Sequence, residues 1–381
     1  MFNKSIFLLS VMLFSITAFA QSDFDVAQRF MSKKGVSLVK NTVTRTSGGS
    51  NNYSIFNGVN NKGFAIVANG AIIGYSTENE CDANNLPPQL KAMLDSLPEV
   101  KRTRGAVEGR VYPEGYEVRN VTPIKPLITT KWGQGWPYRK YLDWVKGGIC
   151  SGVAKAQLLH YYRVPYTHID FVFNSNVIGE MYFPKTTFNH DLMLDNYIEG
   201  QYTEEEGEEV AKLYGYVLGW EDSNAAVEIF GMKFVNLLEY KTQPIYNILD
   251  SCLETSNPLW AGSPTHAYNI DGRDEDGLYH VNWGWDGISN GYYIFTNTSD
   301  KQDELKESSQ NKWVSSHRCC CLFMYILLTF SFTPPSSTSI DNSIVEKVVN
   351  DGCVYNLQGQ RINGSLSKGM YIKDGKKFIV R

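Results

Sequence analysis

The stretch Lys131-Trp132-Gly133-Gln134-Gly135-Trp136-Pro137, followed by Gly147-Gly148-Ile149-Cys150-Ser151-Gly152-Val153-Ala154-Lys155-Ala156-Gln157, decides how this chain folds. A Gly-Gly turn delivers the chain into a helix over 150–162 that starts at Cys150. Val153, Ala154, Gln157, Leu158 and Tyr161 recur at three- and four-residue spacing, so one face of that helix is expected to be buried. A thiol at a helix N-terminus has its pKa lowered, and a neighbouring imidazole lowers it further, which is what a cysteine nucleophile needs. One cysteine by itself is by default a buried structural residue. Gln134 and a later histidine change that balance. Gln134 stands 16 residues before Cys150 in a Trp and Gly setting that lets the backbone fold back tightly. Its amide can join the Cys150 N–H in stabilising a tetrahedral oxyanion, a contact worth roughly 3 kcal/mol.

Working outward, the partner for the thiol is sought among six histidines. His160 lies too far along the Cys150 helix, His168 and His190 fall in irregular segments, and His317 sits in the distal tail. His266 and His280 occupy two strands, 266–271 and 278–283, joined by Arg273-Asp274-Glu275-Asp276-Gly277. If that loop closes a hairpin, antiparallel pairing sets His266 opposite residue 282 or 283, and a one-residue change of register decides between Asn282 and Trp283. An asparagine carbonyl accepting the imidazole N–H would fix the tautomer, and an indole would shield that bond from water. His280 has no comparable partner arrangement and is read as structural. The chain order Cys150, His266, Asn282 is the order a Cys-His-Asn hydrolase needs.

Elsewhere, residues 21–104 pattern as a small α+β unit, with an amphipathic start at 24–31, strands at 53–56, 63–68 and 71–75, and a helix over 89–97. Lys101-Arg102-Thr103-Arg104-Gly105 follows, an exposed cleavable linker or an ordinary solvated loop. A second helix over 204–219 carries acidic residues in its first turn and Val210, Leu213, Tyr214 and Val217 inward. An antiparallel meander after a helical half makes the central unit α+β.

At the ends, Lys4, the apolar run from Ile6 to Phe19 and Ala18-Phe19-Ala20 form a signal peptide with a small-x-small cleavage site, shorter than a membrane span requires. Residues 301–340 are expected to be an irregular segment and linker. Residues 341–381 alternate apolar and polar toward an Asp374-Gly375 turn and are expected to form a small β unit.

The motifs Trp132-Gly133-Gln134, Cys150 to Gln157, His266-Ala267, Asp271-Gly272 and His280-Val281-Asn282-Trp283-Gly284-Trp285 resemble the streptopain family of papain-like cysteine peptidases. The similarity extends over roughly residues 40–300 and takes in Gly63-Phe64-Ala65-Ile66-Val67-Ala68 and Ile73-Gly74-Tyr75-Ser76, which look like that family's inhibitory propeptide. The chain departs from the family's usual pattern at Ser151-Gly152 and at Thr265. The resemblance implies a papain-like fold, a helical half plus an antiparallel sheet half. It divides the chain into a signal peptide (1–20), a propeptide (21–110), a catalytic domain (111–300), the irregular segment (301–340) and a C-terminal β unit (341–381) similar to sorting or surface extensions of Bacteroidetes-type exported proteins. It also implies Cys150 as nucleophile, His266 as base and then acid, Gln134 as oxyanion donor, and Asn282 and Trp283 as supports for the histidine. Polypeptides are then the substrates and the propeptide an intramolecular inhibitor. A catalytically inactive or inhibitory binding protein and a thiol acyltransferase are the other readings of the same residues.

Bulk properties narrow the field. A chain of 381 residues, 43% hydrophobic and 20% charged, has room for a sizeable core. A formal charge of -4 supplies no basic field, so neither nucleic acid nor an anionic membrane is an expected partner. Seven cysteines show no CxxC pairing, and the consecutive Cys319 to Cys321 suit no tetrahedral site, so neither metal nor cofactor is expected. No GxSxG, HExxH, Walker or Rossmann pattern competes.

Overall fold

The computed structural model describes residues 22–46, 52–68, 70–95, 112–113, 116, 118–145, 149–175, 179–218, 229–236, 245–262, 266–295 and 326–332, with parts of 354–380. The signal peptide, the Lys101 to Gly105 cluster, Gly147-Gly148, Thr265, His317 and Cys319 to Cys321 lie outside the described residues.

The amino-terminal unit begins with helix α1 (Asp23–Lys33), started by a capping box between Ser22 and Asp25. Val26, Ala27, Phe30 and Met31 form its buried face and lie on strands β1 (Leu38–Thr46), β2 (Asn52–Gly58), β3 (Phe64–Ala68) and β4 (Ala71–Ser76). Helix α2 (Pro88–Asp95) closes this unit. The Cys150 helix, α3 (Cys150–Tyr161), then packs with α4 (Glu204–Leu218), whose Val210, Leu213, Tyr214 and Val217 are buried as expected. Between them lies a two-stranded ribbon, β5 (Phe171–Ser175) and β6 (Gly179–Phe183). The chain continues through β7 (Met232–Asn236), α5 (Ile245–Glu254), β8 (Leu259–Gly262), β9 (Ala267–Arg273), β10 (Tyr279–Asn282), β11 (Gly291–Tyr293) and β12 (Ile326–Phe332). A separate three-stranded sheet, β13 (Val354–Tyr355), β14 (Gly369–Lys373) and β15 (Lys376–Val380), makes up the carboxy-terminal β unit.

Two results go beyond the sequence. First, the amino-terminal strands and the central ones form one antiparallel sheet in the order β1-β2-β3-β4-β11-β10-β9-β8-β12-β7. The join is β4 on β11, where Tyr292 pairs with Tyr75 and Tyr293 with Gly74. Gly74 is required there, because a Cβ would fall 2.5 Å from Cδ1 of Tyr293. Second, residues 326–332, expected to be irregular, form a strand inserted between β8 and β7. In Ile326-Leu327-Leu328-Thr329-Phe330-Ser331-Phe332, Leu328, Phe330 and Phe332 alternate with Thr329 and Ser331, the two-residue period of a strand.

Side chains alternate across the sheet. Tyr268, Ile270, Leu259 and Ala261 belong to the core shared with the amino-terminal unit, whereas Ala267 and Trp260 belong to the core of the helical half. The Cys150 helix is therefore pressed against strands that are covered on both faces. Its burial extends beyond one stripe to Gly152, Ala156 and Leu159, and Tyr161 is only half-buried, its hydroxyl donating to Ser256 O.

Candidate active site

Cys150 stands at the first turn of α3, where the N-cap residue Ile149 makes no side-chain capping bond. The uncapped amides are available to the thiol, since the N–H groups of Cys150 and Ser151 favour its ionised form, as does the N–H of Ala267. Ala267 is the residue next to His266. Burial is nevertheless the larger influence and pushes the Cys150 thiol up.

Gln134 arrives from the other side. Its Oε1 accepts from the Ile149 N–H at 2.8 Å, so its amide is pinned one residue from Cys150 with Nε2 left as the donor end. The segment is held by Arg139 Nε donating to Gln134 O (3.0 Å), by Tyr214 Oη donating to Gly133 O (3.3 Å), and by Trp132 Nε1 donating to Leu194 O (2.7 Å).

His266 is 3% exposed, and its Nε2 lies 2.8 Å from Trp283 O. A carbonyl only accepts, so Nε2 carries the proton and Nδ1 holds the lone pair. Trp285 meets the ring edge-on at 5.9 Å. The Trp283 indole is fully buried among Tyr268 and Tyr293 and lies 6.3 Å from the imidazole ring, beside the backbone carbonyl that accepts from it.

The expected bond from Asn282 to the imidazole is corrected by this geometry. Asn282 directs its amide elsewhere: Nδ2 donates to Thr130 O (2.9 Å), and Oδ1 accepts from Gln157 Nε2 (3.3 Å) and Gly284 N (3.1 Å). The cause is the register of the hairpin, which closes with Tyr279 opposite Arg273 and then carries a β-bulge. Tyr279 and His280 pair with Arg273 and Gly272, but Val281 and Asn282 pair with Ile270 and Asn269, so Asp271 is skipped. Continuing that register sets His266 across from Trp285, not from residue 282 or 283. His280, read as lacking a partner, holds the bulge: its Nδ1 is 2.6 Å from Asp271 Oδ1, while Asp271 Oδ2 accepts from Ile128 N at 3.0 Å. Gly284, at φ +63°, then passes so close to the Cys150 helix that a Cβ would lie 2.7 Å from Val153 Cγ1.

The structure thus sets Gln134 beside Cys150 and the Trp283 carbonyl on His266, and holds Asn282 on Gln157 and Thr130. Trp285, Gln157 and Asn269 are the residues the sequence reading did not assign to the site. The invariance of strand alternation could have marked Asn269, two residues beyond Ala267 on the same face. Among the described residues no cluster suited to a metal ion is present, Cys81, Cys150 and Cys252 form no disulfide, and no helix is long and apolar enough to cross a membrane.

Burial also sets a pH dependence. It lowers His266 to about 4, and His160, on the same helix as Cys150, likewise to about 4. It raises the Asp274 carboxyl to about 6. As pH falls from 6.5 to 4 the unfolded imidazoles take up protons that the folded ones refuse, so the folded chain loses stability. Asp274 acts oppositely between about 6 and 3.8, where the folded carboxyl binds its proton first. At about 1.4 kcal/mol per pH unit, two imidazoles outweigh one carboxyl, and denaturant titrations should show a net loss on the order of 4 kcal/mol between pH 6.5 and 4. A flat profile across that window would contradict two imidazoles buried in neutral form.

Comparison with known proteins bears on the family and the fold. The Peptidase C10 family pattern matches residues 132–293, and the Spi protease inhibitor pattern matches residues 17–100. Streptopain of Streptococcus pyogenes is 25% identical over 337 residues, covering 73% of this chain and 82% of streptopain. The thiol protease/hemagglutinin PrtT of Porphyromonas gingivalis is 23% identical over 296 residues, covering 63% of this chain but 33% of that protein. The fold matches that of a Prevotella intermedia prointerpain A fragment, with a TM-score of 0.52 at 22% identity over 77% of this chain and 99% of the fragment.

Proposed function

Because this chain belongs to the C10 family of streptopain-like cysteine peptidases and carries a Spi-type inhibitor unit ahead of its catalytic one, we propose that it is an exported endopeptidase made as a zymogen, acting on polypeptides through Cys150 and His266. The observation that carries this reading is Gln134 pinned on the Ile149 N–H beside Cys150, at the uncapped start of α3, together with an imidazole whose tautomer Trp283 O selects.

The chemistry follows from where the atoms sit. Cys150 Sγ attacks the peptide carbonyl carbon while its proton passes to Nδ1 of His266. The carbonyl oxygen, now an oxyanion, receives Gln134 Nε2 and the Cys150 N–H. The imidazolium then protonates the departing amine, leaving a thioester on Cys150. Water attacks the thioester, His266 accepts its proton, and the thiol re-forms as the carboxylic acid leaves. Burial favours the neutral thiol and the neutral imidazole, a direction in keeping with a proton that moves as the bond forms.

The amino-terminal unit supports the zymogen reading by where it docks. Asn79 Nδ2 donates to Asn290 O (3.1 Å), Ser289 N to Glu80 O (2.7 Å), and Tyr75 Oη to Asp274 Oδ2 (2.8 Å). It therefore grips both the loop after Trp285 and the turn of the His266 hairpin. Gly74→Val should part β4 from β11. Overpacking of about 3 kcal/mol corresponds to roughly 100-fold weaker inhibition, measured as a shortened lag before the uncleaved chain turns over substrate. An unchanged lag would remove this edge from the inhibitory contact. Export rests on the Met1 to Ala20 pattern, and the carboxy-terminal β unit is proposed as its sorting or surface signal.

The test is to treat the processed protein with a thiol-directed inhibitor and assay an unfolded protein substrate beside a Cys150→Ala control. Labelling at Cys150 with loss of proteolysis is expected. Proteolysis that survives the substitution would sink the nucleophile assignment. Failure of Cys150 to label would favour an inactive binding protein, and amine incorporation exceeding hydrolysis would indicate acyl transfer.

A further inference from the structure

Three buried amides lie between the Cys150 helix and the strands that bear His266 and Trp283. Gln157 comes from α3, Asn269 from β9 and Asn282 from β10, and none is more than 1% exposed. Asn269 Nδ2 donates to Gln157 Oε1 (3.1 Å) and to Ala154 O (3.0 Å), tying β9 to the helix at two adjacent turns. Gln157 Nε2 donates to Asn282 Oδ1 (3.3 Å) and to Thr130 O (3.0 Å). Asn282 Nδ2 shares that Thr130 carbonyl, and its Oδ1 receives the Gly284 N–H. Every segment that carries a site group is therefore bonded to one cluster: the Cys150 helix, the strand three residues past His266, the Trp283 turn, and the segment leading to Gln134.

The cluster is poorly suited to stability alone. Asn269 Oδ1 and Thr130 Oγ1 are buried without a hydrogen-bond partner among the described residues. A buried acceptor left without a donor costs free energy that apolar side chains of the same shape would not. What directional amides supply and apolar packing does not is a fixed register between helix and strand.

We propose that Gln157, Asn269 and Asn282 are positioning residues, a three-amide brace that holds His266 at the height and angle required opposite Cys150. The Asn269 bonds keep the start of β9, which follows directly on His266, level with the Cys150 helix. The Asn282–Gly284 bond fixes the turn that aims Trp283 O at Nε2 of His266. Without them the helix can slide along the strands, and a misplacement near 1 Å costs roughly 100-fold in rate. The inference rests on the peptidase reading above.

The test uses the whole chain with Gln157→Met, Asn269→Leu and the double substitution, compared by kcat, KM, thermal midpoint and the pH dependence of iodoacetamide labelling at Cys150. Each variant should lose roughly 30- to 100-fold in kcat with KM nearly unchanged. Labelling should lose its dependence on His266, read against His266→Ala. The double variant, apolar on both sides, should keep its thermal midpoint without recovering kcat. Full kcat and an unchanged labelling profile in a folded variant would overturn the brace. Loss of folding in the double variant would overturn it equally, by making the amides structural. Neither hydrolysis nor His266-dependent labelling in the unsubstituted chain would sink the peptidase reading itself, and the brace with it.

Discussion

Replacing Cys150 by Ala, His266 by Ala, or both together should lower kcat/KM by nearly the same factor, roughly 10⁴ or more. The two act as one unit: without the imidazole the thiol has no base in reach, and without the thiol the imidazole has nothing to activate. Additive losses in the double variant would mean that each group acts separately, and would contradict a shared proton. Since Cys150 is only half-buried, Cys150→Ala removes one sulfur at the mouth of the site, and the thermal midpoint should barely move. Steady-state kinetics on a peptide amide, with the midpoint measured beside them, checks both statements.

Gln134→Ala should cost roughly 10² to 10³ in kcat, about 3 to 4 kcal/mol, while KM stays close to its starting value. The expected split follows from the Ile149 N–H to Gln134 Oε1 bond, which fixes the amide so that Nε2 meets the oxygen when charge develops on it. Binding of the uncharged carbonyl gains little from that donor. Gln134→Glu is the more telling variant, because a carboxylate can still accept from Ile149 N–H yet offers repulsion in place of a donor. Activity retained by Gln134→Glu would remove Gln134 from the oxyanion site. A matched rise in KM would instead make it a substrate-binding residue.

How much of this was legible in the sequence depends on whether a group has a side-chain signature. Cys150 at a helix start, Gln134 in its Trp-Gly setting and His266 opening a strand could each be read from residue type and spacing. The Trp283 carbonyl could not, because every residue has one. Nor could the bulge at Asp271, which is set by a pairing between His280, Asp271 and the Ile128 amide, brought together from three segments. The closing pair Tyr279 and Arg273 left the hairpin expectation with the right strands in the wrong register, and Asn282 bonded to Gln157 rather than to the imidazole. Residues 326–332 were read as irregular for a related reason: a short, largely apolar run does not name the distant strands, β8 and β7, with which it pairs.

The amino-acid sequence by itself determined the α+β class, the helix that begins at Cys150 and the candidate pairing of that thiol with His266, because local periodicity and side-chain chemistry are written in neighbouring letters. Only the tertiary structure decided that β4 joins β11 into one sheet, that Trp283 O rather than Asn282 meets the imidazole, and that Gln157 and Asn269 stand behind both. Those outcomes rest on backbone hydrogen bonds and register between distant segments. A single residue of slip would redirect every side chain on a strand without changing the periodicity from which that strand is recognised.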